Sequence, residues 1–157
     1  MQLLALMELW FHVSVTCVNW KGHLSAFYRL TTGVRQGGVL SPSLFAVYID
    51  GIVDKVMNTD VGCYISATCC CIFLYDNDIT LIAPSVSSAL QMLLNVCEEE
   101  LLALDIYVNQ KKPMCIRIDR RFSVQCAELV TASGGRLRWV DRCRYLGVYF
   151  TSGCWLT

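Results

Sequence analysis

Two short stretches of this sequence carry side chains suited to chemistry, and a third carries charge. Gly33-Val34-Arg35-Gln36-Gly37-Gly38 sets two long polar side chains beside a Gly-Gly step, where the missing Cβ lets backbone approach a ligand closely. That composition predicts a contact surface. Tyr75-Asp76-Asn77-Asp78 gathers oxygen-bearing side chains between apolar runs, and Asp and Asn at a tight hairpin are explained by turn formation alone. Residues 111 to 144 hold Lys111, Lys112, Arg117, Arg120, Arg121, Arg136, Arg138, Arg142 and Arg144 against Asp119, Glu128 and Asp141, a net of +6. Such a block can grip a phosphate backbone through counterion release, or be an ordinary solvated face. Residues 1 to 110 offset it with a net of −6, so the neutral total conceals a division along the chain.

The elements that would position these groups follow from periodicity. Leu3, Leu4, Leu6, Met7 and Trp10 predict a short helix over residues 2 to 11. Val13 to Trp20, the turn Lys21-Gly22 and Ser25 to Leu30 predict a hairpin, with Trp20, Phe27 and Tyr28 as packing residues. Ser41-Pro42 reads as a helix start, and Leu44, Phe45, Val47, Tyr48, Ile52, Val53 and Val56 give a stripe ending near Met57. Asn58-Thr59-Asp60 then turns into an apolar strand or strand pair from Val61 to Leu74. Ser85 opens a second helix whose stripe is Leu90, Leu93, Leu94, Cys97, Leu101 and Leu104. Strands are expected at Asp105 to Val108 and Met114 to Ile118, and a polar loop over Arg120 to Arg138.

At 157 residues, 55% hydrophobic and 17% charged, the composition excludes disorder. Ten cysteines would suit a small secreted disulfide scaffold, but Met1 to Trp20 lacks a basic leader region and a cleavage site, so reduced cysteines acting as small hydrophobes are expected. The apolar run from Val61 to Tyr75 is too short to cross a bilayer as a helix. With His12 and His23 as the two histidines, no paired zinc-ligand spacing is present.

The run GVRQGGVLSPSLFAVYIDGIVDK, residues 33 to 55, resembles the RQGGxLSPxLF segment of reverse transcriptases, in the version used by LINE-type retrotransposons without terminal repeats. LYDNDITLIAPS, residues 74 to 85, resembles the same family's Tyr-x-Asp-Asp catalytic hairpin and its continuing strand. Asn109-Gln110-Lys111-Lys112 is similar to the family's Asn-x-x-Lys segment, and Tyr145-Leu146-Gly147-Val148 to its closing hairpin, where the primer is gripped. The resemblance covers most of residues 3 to 151.

It implies an α+β fold: a partial polymerase palm in which an antiparallel sheet carries two main helices on one face. The whole chain, 1 to 157, would be one partial reverse transcriptase domain, with the palm core at about 33 to 118 and a palm/thumb junction hairpin at 119 to 157. Gln36, Gly37 and Gly38 would touch template or incoming nucleotide. Arg35 would steady the loop or reach phosphate, and Lys112 would lie near the nucleotide's phosphates. Partners would be an RNA template, a DNA primer and a companion retroelement protein, inside the cell in cytoplasm or nucleus, with no membrane.

The implied reaction is nucleotidyl transfer assisted by two Mg²⁺ ions, which prefer carboxylate oxygens. Aligned by Tyr75, the family's first hairpin aspartate falls on Asn77, and Asp78 alone remains as a metal-binding carboxylate. Asp76 would not replace it, because alternate residues of an extended strand face opposite sides. The family's upstream aspartate strand would precede residue 2, and no residue here corresponds to it. The expectation is therefore a fragment impaired in catalysis. The alternatives are a non-catalytic nucleic-acid-binding remnant and a relic with no molecular role.

If the basic block grips phosphate, binding of single-stranded RNA or DNA weakens by at least about tenfold between 50 and 200 mM salt. Filter binding across that range checks this, and salt-insensitive binding would exclude the block as the contact surface.

Overall fold

The computed structural model describes residues 2–31, 37–75, 77–109 and 112–154. The chain divides into two compact units, Met1–Pro42 and Ser43–Thr157.

In the first unit, helix α1 runs over Gln2–Val13, two residues beyond the predicted end. The predicted hairpin follows as two short ladders. Strand β1 (Val15–Thr16) pairs antiparallel with β4 (Tyr28–Arg29), and β2 (Asn19–Trp20) with β3 (His23–Leu24). Lys21 and Gly22 both have positive φ, 50° and 86°, which is the two-residue turn whose twist matches antiparallel strands. Asn19 Oδ1 accepts from the Gly22 N–H at 3.1 Å, and Ser25 clasps Val18 through backbone and hydroxyl. Trp20, Phe27 and Tyr28 are exposed, so their predicted packing role is not met within the described structure.

The second unit is built on two helices. Helix α2 spans Ser41–Met57, with its first two residues in the first unit, and α3 spans Gln91–Ala103. Ile49, Ile52 and Val56 of α2 meet Leu93, Cys97 and Leu101 of α3 around Cys71, which is fully buried. Burial of these side chains is worth about 1.5–3 kcal/mol each. The predicted α2 stripe is partly wrong: Val47 is 76% exposed and Tyr48 is 53% exposed, while Ile49 points inward. Positions 45, 49, 52 and 56 are the ones that a 3.6-residue period places in line. Tyr48 instead donates its hydroxyl to the Leu104 carbonyl at 3.0 Å.

Helix α3 is preceded by a π-helical turn, Val86–Leu90, capped by Ser85, whose hydroxyl accepts from Ala89 N–H. Its far end explains a second correction. Asp105 takes a left-handed conformation (φ 57°), Ile106 N donates to Leu101 O and Asp105 N to Leu102 O. These two bonds close the helix as a Schellman motif, and Ile106 and Val108 then pack on the core. The predicted strand over Asp105 to Val108 does not form, because the apolar alternation there serves helix closure.

Helices and strands are mixed as an α+β fold requires, and the expected antiparallel sheet takes the form of small separate pairs. Strands β5 (Tyr64–Ile65) and β6 (Thr68–Cys69), β7 (Ile72–Tyr75) and β8 (Asp78–Leu81), and β11 (Arg142–Tyr145) and β12 (Val148–Thr151) form separate antiparallel pairs. Strand β9 (Met114–Cys115) pairs parallel with β10 (Arg138–Trp139). Among the described residues every sheet is two-stranded. Strands of two to four residues, interrupted by positive φ at Asp60, Gly62 and Ser66, offer too little ladder to recruit a third. The polar stretch 120–138 is more ordered than a loop. Leu129 is fully buried, the Gln91 amide bonds both the N–H and C=O of Val130, and Glu98 accepts from Ala132 N–H at 2.7 Å.

The β11–β12 turn places Leu146 at φ 49° ahead of Gly147 at φ 85°. A bulky residue in the left-handed region costs about 1–2 kcal/mol, and Asn is the preferred occupant of that position. Leu146→Asn is therefore expected to stabilise the protein by about 1 kcal/mol in urea unfolding, and no gain in the midpoint would contradict the assigned turn.

Candidate functional site

The hairpin β7–β8 is the best-formed part of the candidate site. Its register pairs Ile72 with Leu81, Phe73 with Thr80, Leu74 with Ile79 and Tyr75 with Asp78. Directly opposed residues share a face. Ile72, Leu74, Ile79 and Leu81 therefore form one face, which packs on the helical core, while Phe73, Tyr75, Asp78 and Thr80 form the other. Phe73, Tyr75 and Asp78 are exposed. The Asp78 carboxylate is thus held outward beside Tyr75 by a face whose job is burial.

Asn77 follows as a turn residue ahead of Asp78. Asp76 lies outside the described residues. Asn77 is an exposed turn residue rather than part of an extended strand, so strand alternation, the predicted reason for separating Asp76 from Asn77, does not govern this position. The turn-forming and chemical readings of Asn77 coincide, because its amide sits at the tip either way.

These residues do not make a metal-binding set. Asp78 supplies one carboxylate and Asn77 a neutral amide, and among the described residues no group of three His, Cys, Asp or Glu could hold an ion. A divalent pair needs several anionic oxygens, so the donors described here fall short by charge as well as number.

The glycine loop is described only from Gly37 onward, and Arg35 and Gln36 lie outside the described residues. Gly37 has φ 79°, a conformation glycine adopts without cost, and a Cβ there would meet nothing within 4 Å. Its glycine answers a turn requirement with open space beside it. Gly38 O accepts from Ser41 N at 3.1 Å, so the loop runs straight into the first turn of α2. Lys112 is exposed, and its N–H donates locally to Asn109 O at 3.2 Å. The described contacts do not bring Lys112 to the hairpin.

The basic block divides in two. Arg117 bonds Asp119 at 3.0 Å, Val124 O at 3.2 Å and the Cys126 thiol at 3.4 Å, and Arg136 bonds Glu128 at 2.8 Å. Partial desolvation pushes the Asp119 carboxyl up, but the Arg117 guanidinium and Arg121 N–H outweigh it and hold it below the usual range. By contrast Lys112, Arg120, Arg138, Arg142 and Arg144 are exposed, and among the described residues none forms an ion pair. Arg142 stacks over the Tyr149 ring at 3.9 Å, with Arg144 at 5.8 Å. Tyr149 lies opposite Arg144 across the hairpin, so the period of two brings all three to one outer face. Sequence reading took the arginines as part of a charge block and missed their aromatic platform, although the alternation Arg-x-Arg before Leu146-Gly147 was there to show it.

A family model described as Reverse transcriptase (RNA-dependent DNA polymerase) matches residues 2–150. No curated protein matches the chain. No helix among the described residues is long and apolar enough to cross a membrane.

Asn77→Asp tests the charge deficit directly. A unit charge about 4 Å from a divalent ion gains about 2 kcal/mol in water, which is roughly thirtyfold in affinity. Mn²⁺ titration followed by paramagnetic broadening around Tyr75 and Asp78 is expected to tighten by about that factor in the variant. Equal affinity would place the limiting deficit elsewhere.

Proposed function

Given that the chain belongs to the reverse transcriptase (RNA-dependent DNA polymerase) family, we propose that it is part of the palm of a LINE-type retroelement polymerase, with nucleotidyl transfer impaired at Asn77. Its substrates in that reading are an RNA template and a DNA primer, and the family generally uses divalent metal ions. Residues 33 to 118 correspond to the palm core and 119 to 157 to its junction with the thumb. Gln36, Gly37 and Gly38 face template or incoming nucleotide, Arg35 the loop or a phosphate, and Lys112 the phosphates. The compartment is the cytoplasm or nucleus, and a companion retroelement protein is a candidate partner.

One observation carries this proposal: Tyr75 pairs with Asp78 at the end of an antiparallel hairpin, which supports reading it as the family's catalytic hairpin with an amide at position 77. Phosphoryl transfer gathers negative charge around the reacting phosphorus, and divalent cations offset that charge only where anionic ligands hold them. An amide oxygen at position 77 brings a dipole in place of a charge. The hairpin backbone and the apolar face beneath it are unaffected by that exchange, so fold and chemistry separate at this residue. A second reading, nucleic-acid binding without catalysis, is favoured by the exposed cations around Tyr149.

Primer extension on an RNA template with Mg²⁺ or Mn²⁺ decides between them. The unaltered chain is expected to give no product above background. In a chimaera supplying the family's upstream aspartate strand, Asn77 is expected to be at least about a hundredfold slower than Asn77→Asp, the cost of several kcal/mol of lost charge stabilisation. Extension by the unaltered chain would refute the impairment, and equal rates in the chimaera would clear Asn77 of causing it.

A further inference from the structure

The β5–β6 hairpin brings four cysteines together just ahead of β7. Tyr64 pairs with Cys69 and Ile65 with Thr68. One step further along the same register, Cys63 stands opposite Cys70, and the Cys70 N–H donates to Cys63 O at 2.7 Å. Both thiols are half-buried, whereas Cys71 is fully buried. Alternation directs Cys63 and Cys70 to one face of the hairpin and Cys69 to the other. On that other side Cys69 neighbours Cys71, whose thiol is pushed up to about 11 by burial and then by Cys69. Burial pushes the Cys63 thiol up, and the thiols of Cys70 and Cys69 push it further, in keeping with Cys70 as its close neighbour.

We propose that Cys63 and Cys70 form a reversible cross-strand disulfide, with a low-molecular-mass disulfide such as oxidised glutathione as the oxidant. Opposed residues of a hydrogen-bonded antiparallel pair have Cα atoms about 5.5 Å apart, inside the range a disulfide spans. Their Cβ atoms stand wider than the roughly 3.8 Å that the bond prefers, so closure needs a small local shift and yields a readily reduced bond of the regulatory kind. One thiolate attacks a sulfur of the oxidant, forming a mixed disulfide and releasing one glutathione thiol. The second cysteine attacks the protein sulfur of that intermediate and releases the other. Two protein thiols lose two electrons and two protons, and the oxidant takes them up as two thiols.

The consequence reaches the candidate site through the next residue. A Cβ on Gly62 would sit 2.5 Å from Cys71 Cβ, so the chain before Cys63 and the chain after Cys70 are already in closest contact. Cys71 O accepts from Ile82 N at 2.8 Å, extending the β7–β8 ladder at its root. A covalent tie between Cys63 and Cys70 therefore anchors the base of the hairpin that carries Asp78.

The native protein, incubated in buffers of graded oxidised-to-reduced glutathione ratio, acid-quenched, alkylated and digested, should yield a Cys63–Cys70 cross-linked peptide that reverts with excess thiol. Cys69→Ser should retain the cross-link. Cys63→Ser should lose it and leave a single glutathione on Cys70, an outcome that a misfolded variant with all thiols open would not give. Hydrogen exchange of Ile72 to Leu81 should slow on oxidation of the unaltered chain. The inference is overturned if Cys63 and Cys70 each stay alkylatable in the most oxidising buffer, take separate glutathiones, or pair with other cysteines.

Discussion

The core shared by α2, α3 and the β7–β8 hairpin is the constraint on which the rest depends. Two four-residue strands joined by a two-residue turn are marginal in water on their own. Here Ile72, Leu74, Ile79 and Leu81 pack against the cluster formed by Ile49, Ile52, Val56, Cys71, Leu93, Cys97 and Leu101. Burial fixes which way the strands face, and a strand's period of two then leaves Tyr75 and Asp78 no choice but the outward side. The chemistry of the tip is thus set by hydrophobic packing several residues away. A change of residue at the tip can alter reactivity without disturbing the hairpin, and position 77 is such a place.

A second set of contacts joins the basic segment to the same helices. The Gln91 amide satisfies both backbone groups of Val130, as a neighbouring strand would, and the buried Glu98 carboxylate takes the Ala132 N–H. Leaving the buried Glu98 carboxylate without a donor would cost at least about 1–3 kcal/mol, so the chain at Ala132 is held where that carboxylate finds its partner. This order explains how the chain beyond Arg136 arrives at the parallel pairing of Arg138 and Trp139 with Met114 and Cys115. Asp119 and Glu128 are spent on Arg117 and Arg136, and Arg120, Arg138, Arg142 and Arg144 are exposed.

The helices were legible in the sequence because a 3.6-residue stripe survives in any context: Leu93, Leu94, Cys97 and Leu101 were expected inside and are. The hairpin at Lys21-Gly22 was legible for a similar reason, since turn chemistry is local, whereas the one at Leu146-Gly147 was legible through the family resemblance. The sheet was not. Pairing between strands of two to four residues depends on where the chain is interrupted, and the left-handed residues Ser66 and Asp105 stand where no turn was read from composition, unlike Asp60. Ile106 and Val108 show the ambiguity well, because an apolar alternation serves a strand and a helix closure equally. The Gln91 and Glu98 clamps join residues 34 and 39 positions apart, a distance at which no local pattern reports.

The glycine segment and the hairpin, each taken by itself, ask different things of the chain. A contact loop asks for conformation: Gly37 meets that demand through its positive φ, and the demand would be the same whatever the loop touched. A metal-assisted centre asks for charge, and charge is not a property the fold can supply. Asn77 and an aspartate occupy nearly the same volume, make the same turn and leave the same face buried, so nothing in packing selects between them. An exchange between the two at that position changes the charge at the hairpin tip while leaving its packing as it is.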